Sequence, residues 1–189
     1  MRHEAGEALG AIGDEVALDV LKSHLKDPVV EVAETCELAV ERIEWLKRQR
    51  QSAGEESLSD NPYNSVDPAP PSADAAKLST EELKAILIDE ELPLFRRYRS
   101  MFELRNRGGS EAVAALCAGL HCKQSALFRH EIAYVLGQMQ HPESIKALEA
   151  ALVKDGENEM VSNETGTGGD GAKWVIWGKM GHPLFSAPA

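Results

Sequence analysis

Residues 2–12 read RHEAGEALGAI, and residues 129–139 read RHEIAYVLGQM. Laid over one another they match at Arg2 and Arg129, His3 and His130, Glu4 and Glu131, Leu9 and Leu136, and Gly10 and Gly137. In the first copy Ala5, Ala8, Leu9 and Ile12 fall on one side of a helix at 3.6 residues per turn, which predicts an amphipathic helix with that face toward a core. Moving the first copy along by 31 residues brings Ala5 onto Cys36, Ala8 onto Ala39, Leu9 onto Val40 and Ile12 onto Ile43. A helix-pair period of this size, with small and apolar positions retained, is the mark of an α-solenoid.

The rest of the chain supports an all-α reading. Ala, Leu, Glu and Val dominate while aromatics make up only 5%, a balance that favours packed helices over sheet. Helices are predicted over about 1–12, 15–25, 29–48, 79–90, 92–107, 110–119, 125–139 and 142–154. Ser79, Thr80 and Glu82 offer a cap for the fourth of them. Leu9 and Leu136 are expected to face the core.

Between Gln49 and Ala76 the composition shifts to Gln, Ser, Gly and Glu, then to Asn61-Pro62-Tyr63 and Asp67-Pro-Ala-Pro-Pro71. Proline at that density cannot continue a helix, so residues 49–76 are expected to be an irregular linker between an amino-terminal lobe (1–48) and a carboxy-terminal lobe (77–161). Residues 162–189 are rich in glycine and carry no helical period, so they are expected to be a disordered tail. Their glycines follow no strand and open no helix, which argues against a phosphate loop.

The formal net charge of −11 opposes nucleic acid binding, which rests on Lys and Arg meeting phosphates. A cationic partner suits it better. No run approaches the roughly 20 apolar residues that span a bilayer, so no membrane partner is expected. Cys36, Cys117 and Cys122 are odd in number and form no zinc pattern, so they read as reduced cysteines of a cytoplasmic protein, with Cys36 on an apolar helix face.

A solenoid helix packs well without the Arg-His-Glu opening. At the positions of His3 and Glu4 the helix starting near residue 29 carries Glu34 and Thr35. Imidazole nitrogen with carboxylate oxygen is a ligand set for non-haem iron, manganese or zinc, so His3, Glu4, His130 and Glu131 are the candidate metal ligands. Neighbouring helical residues point about 100° apart, so one pair does not surround an ion and the two copies would have to converge. The bland alternative is a solvated first turn with Glu near the positive helix end. His24 reads as a helix-surface residue and His141 as a turn residue, while His121 falls in a loop and His182 in the tail.

Four blocks in this order, Arg2–Gly10, Glu31–Cys36, Ser65–Pro71 and Leu127–Glu131, resemble the deoxyhypusine hydroxylase family. The resemblance covers about residues 1–161 and implies a HEAT-like repeat fold of two lobes around a di-iron centre. It implies hydroxylation, with dioxygen, of the deoxyhypusine side chain on a translation initiation factor, the last step of hypusine formation. His3, Glu4 and His130 would be iron ligands, and Glu131 a carboxylate turned more to substrate than to metal.

The family pattern has four His-Glu pairs, of which these are the second and third. At the place of the fourth stand Ser162, Asn163 and Glu164, and no counterpart of the first precedes His3. Impaired activity is therefore expected, and a tail translated from an intron would account for the divergence. The alternative is a non-catalytic HEAT-repeat scaffold that binds another protein. A chromophore lyase-type repeat is a third reading, against which the Ser65–Pro71 block argues.

Overall fold

The computed structural model describes residues 1–51, 60–63 and 65–153. Among these the chain is helical, with α1 (Arg2–Ile12), α2 (Leu18–Ser23), α3 (Val30–Gln51), α4 (Ala73–Ala76), α5 (Thr80–Ile88), α6 (Leu94–Arg107), α7 (Gly109–Gly119), α8 (Ala126–Met139) and α9 (Ile145–Leu152). Short 3-10 turns at Glu15–Ala17 and Pro142–Ser144 lead into α2 and α9, so those two helices are tighter at their starts and shorter than the sequence predicts. The expected tail at 162–189 lies outside the described residues.

The punctuation follows local chemistry. Gly13, at φ 71°, ends α1 and returns its N–H to the Leu9 carbonyl. Asp14 then accepts from the Val16 N–H and opens the next turn. Ser79 and Glu82 form the expected capping box: Glu82 N–H donates to Ser79 Oγ at 3.2 Å, and Ser79 N–H donates to Glu82 Oε2 at 2.8 Å.

Helix α3 is the spine. It packs on α1 and α2 along one side and on α6 and α8 along the other. Cys36, Ala39, Val40 and Ile43 bury into a small cluster with Ala17, Leu21 and Val32, while Leu38 and Trp45 of the same helix enter the large core built around Tyr98, Phe102, Leu116 and Phe128.

One sequence expectation fails here. Ala5, Ala8 and Ile12 do not form the buried face of α1: Ala5 and Ala8 are exposed, Ile12 is 73% exposed, and Leu9 is only half-buried. The buried residues are Gly6 and Gly10. Among the described residues α1 has its main neighbour on one side only, and it meets α3 through glycine because the two backbones approach closely. A Cβ added at Gly10 would stand 2.8 Å from Ala39 Cβ. At the matching residue of the second copy, Gly137, an added Cβ would meet nothing within 4 Å among the described residues. Leu136, in contrast, is buried as expected, at 1%.

The linker is another difference. Its proline-rich stretch is docked on α6, and the segment contains the short helix α4. Asp67 and Arg105 form a two-pronged ion pair, Nη1 to Oδ1 at 2.9 Å and Nη2 to Oδ2 at 2.7 Å, with side-chain exposures of 3% and 0%. Ser65 Oγ and Asn61 Nδ2 donate to the same carboxylate. The guanidinium lies between the rings of Tyr63 and Phe102, 4.6 and 4.8 Å from their centroids. Ala69 beside it is wholly buried.

Two outcomes follow for stability. Asp67→Ala strands a buried guanidinium and should cost about 3–5 kcal/mol in a denaturant titration, whereas Lys77→Ala, which breaks only the exposed pair with Asp74, should leave the midpoint where it is. Gly10→Ala overpacks the α1–α3 contact and should destabilise by about 1–3 kcal/mol. Gly137→Ala, in open space on a helix, should instead stabilise by up to about 1 kcal/mol, because alanine is the better helix former.

Candidate metal centre

The two Arg-His-Glu motifs sit differently on their helices. His3 is the second residue of α1, but His130 is the fifth of α8, because α8 starts at Ala126 under a Ser125 cap. Phe128 N–H donates to Ser125 Oγ at 2.9 Å, so a full turn precedes the histidine.

The arginines, which the solenoid alone does not require, have a structural use. Arg2 pairs through both nitrogens with Asp27 in the turn before α3. Arg129 is 8% exposed and donates to the carbonyls of Cys122 (2.9 Å) and Ser125 (3.2 Å). Each motif thus ties its helix to a neighbouring turn.

Within the first motif the two side chains converge despite the 100° between them. His3 Nε2 lies 3.2 Å from Glu4 Oε1, with side-chain exposures of 23% and 43%. Burial lowers the pKa of His3, partly offset by Glu4, and the nearby charge of His130 lowers it further. His3 is thereby held toward the neutral form that ligates metals.

His130 and Glu131 are both half-buried. The donor types fit non-haem iron. Among the described residues, however, no three His, Cys, Asp or Glu side chains stand close enough together to hold an ion.

Glu131 parts company with the other three. It lines a cleft of about 60 Å³ at the junction of α1, α3 and α8 that none of His3, Glu4 and His130 lines. Leu38, Ala39 and Leu127 supply apolar wall, Tyr98 a buried phenol, Val66 and Pro68 of the linker one rim, and Glu7 a second carboxylate. Arg42 closes one side, donating to the Gly10 carbonyl at 2.8 Å and the Asp67 carbonyl at 3.1 Å. Burial raises the pKa of Tyr98 well above that of an ordinary phenol, and the charges of Glu131, Glu34 and Glu7 add to the rise, so three carboxylates face its locality.

Sequence reasoning missed Glu7, Glu34, Arg42 and Tyr98. The first two had a signal: Glu7 lies one helical turn after His3, and Glu34 occupies the register position of His3 in α3. The other histidines have local roles. His24 bonds the Val20 carbonyl, and His141 accepts from the Glu143 N–H at the start of a 3-10 turn. Cys36 and Cys122 are buried and Cys117 half-buried, and all three are free thiols.

Repeated helices packed on a shared spine define a helical-repeat protein. The PBS lyase HEAT-like repeat family matches residues 1–27 and 128–154, the segments that hold the two motifs. Deoxyhypusine hydroxylase of Danio rerio is 58% identical over 164 residues, covering 87% of this chain and 52% of that protein. The Homo sapiens enzyme is 57% identical over the same length, and that of Drosophila melanogaster 51%. The structure of human deoxyhypusine hydroxylase in complex with glycerol aligns with a TM-score of 0.77 at 54% identity, covering 86% of this chain and 54% of that one. Over 164 residues the chain is similar to deoxyhypusine hydroxylases, and it spans about half the length of the curated relatives it matches. No helix among the described residues is long and apolar enough to cross a membrane.

The lowered pKa of His3 makes a pH prediction. Native His3 should titrate below 6.5 in proton NMR, and His130→Ala should move it upward by removing a like charge. A native pKa below the unfolded one means that the native state resists protonation. The associated stability is present above the unfolded pKa of about 6.5 and lost as pH falls through the native value.

Proposed function

We propose that this chain is a deoxyhypusine hydroxylase like its relatives, acting in a dioxygen-dependent hydroxylation of an aliphatic amine side chain on a translation initiation factor, with impaired activity because only the second and third His-Glu pairs of the family pattern stand in its sequence. The observation that carries the reading is the placement of Glu131 and Glu7 on one apolar-walled cleft, in a chain 57% identical to the human enzyme over 164 residues.

The division of labour follows from the lining. His3, Glu4 and His130 would each contribute ligands to an iron site that the described residues do not complete, with Glu131 turned to the cleft. Iron bound there would supply the activation of dioxygen. The chain's own residues would bind and orient the substrate. Leu38, Ala39 and Leu127 would take the methylene chain out of water, while the carboxylates of Glu7 and Glu131 would attract its ammonium groups. An uncharged or acidic side chain gains nothing from those carboxylates, which is a basis for selecting a polyamine-like arm. The net charge of −11 would favour approach of a cationic segment. The cytoplasm is the compartment where such a factor and reduced cysteines coincide.

The test is iron content together with product mass. The full chain is loaded anaerobically with ferrous iron, desalted and analysed for iron per chain. It is then given air and the deoxyhypusine-bearing factor, and one added oxygen is sought by mass spectrometry. His3→Ala and His130→Ala should each lose iron, and Glu131→Gln should raise KM more than it lowers iron content. A folded chain that takes up no iron would sink the reading and leave the protein-binding scaffold in its place.

A further inference from the structure

Glu34 is a half-buried carboxylate that does not line the cleft. Glu34 lies in the second turn of α3, and α3 is the helix that packs on both α1 and α8. In the 31-residue register of the repeat, position 34 is the counterpart of position 3, so His3, Glu34 and His130 stand at comparable places on three helices that pack side by side. Ser125 Oγ donates to Glu34 Oε2 at 2.7 Å, across 91 residues of chain. The same Ser125 oxygen accepts the Phe128 N–H at 2.9 Å, and the Ser125 carbonyl accepts from Arg129 at 3.2 Å. Ser125 is 2% exposed, so water does not compete for these bonds.

In an N-cap serine whose oxygen accepts from the helix, only the hydroxyl hydrogen stays free to turn, about the Cβ–Oγ bond. Here that hydrogen is committed to Glu34. The bond fixes the hydroxyl, and with it the first turn of α8, against a helix from the other side of the cleft. Burial raises the pKa of Glu34 and the Ser125 hydroxyl opposes that rise.

We infer that Glu34 is a positioning residue: its hydrogen bond to the cap of α8 sets the placement of His130 and Glu131 relative to His3 and the cleft. The consequence for metal binding rests on the function proposed above, whereas the brace itself does not.

The experiment therefore uses two readouts on the full chain. The first is hydrogen exchange of the amides of residues 126–131, followed by mass spectrometry without metal. The second is cobalt(II) titration followed by visible absorption. Glu34→Ala and Ser125→Ala should each speed exchange in that segment, Ser125→Ala more because it also removes the cap on the Phe128 N–H, and the double variant should match Ser125→Ala. The same variants should weaken cobalt binding by about tenfold, the lower end of what outer contacts of metal ligands contribute. Glu34→Gln, which keeps an acceptor oxygen, should restore most of both.

Unchanged exchange in Glu34→Ala would overturn the inference. So would faster exchange with cobalt affinity equal to that of the unaltered chain, since Glu34 would then be structural only. If the unaltered chain takes up no cobalt, the metal reading fails and the brace is decided by exchange alone.

Discussion

Arg105 and Asp67 have almost no contact with water, and a guanidinium and a carboxylate in that condition persist only together. Their pairing brings a proline-rich connection onto α6, and the other parts take their places around it. Once Asp67 is fixed, its carbonyl receives Arg42 of α3, whose second prong holds the Gly10 carbonyl at the end of α1. A single buried pair thus organises contacts among the linker, α6, α3 and α1. It also brings Val66 and Pro68 to the rim of the cleft. The prolines suit this role because a segment with few rotatable φ angles loses less entropy when it is docked.

The site depends on that frame because no helix carries enough chemistry by itself. Adjacent residues on α1 provide a histidine and a glutamate 3.2 Å apart, and a second such pair comes from a helix more than a hundred residues later. Both helices pack on α3. The same packing puts Glu131 on the cleft, which His3, Glu4 and His130 do not line. Burial then works on each group by its charge, favouring a neutral imidazole at His3 and a neutral phenol at Tyr98.

Repetition in sequence is not repetition of environment. Gly10 and Gly137 align, yet one is wedged against Ala39, while a Cβ added at the other would meet nothing within 4 Å among the described residues. Arg2 and Arg129 align, yet one is exposed and paired with a carboxylate while the other is buried among carbonyls. In a solenoid each helix is defined by what stacks before and after it, so equal residues at different stations have different surroundings.

By itself the sequence determined the helical class, the repeat register, the caps at Ser79 and Glu82, and the paired His-Glu motifs. These properties depend on spacing and on contacts a few residues apart, so they are present in the linear order. The family resemblance in four ordered blocks was equally legible, because it needs only residue identity. The burial of Gly6 and Gly10 rather than Ala5, Ala8 and Ile12 was decided by tertiary structure, since an amphipathic pattern does not say on which side the neighbouring helix lies. The docking of the linker was decided there too: Asp67 reads as a turn residue until Arg105, 38 positions away, supplies the charge that permits its burial. The cleft, with Glu7, Arg42 and Tyr98 drawn from three helices, exists only once those helices are packed, because no local rule brings such residues together.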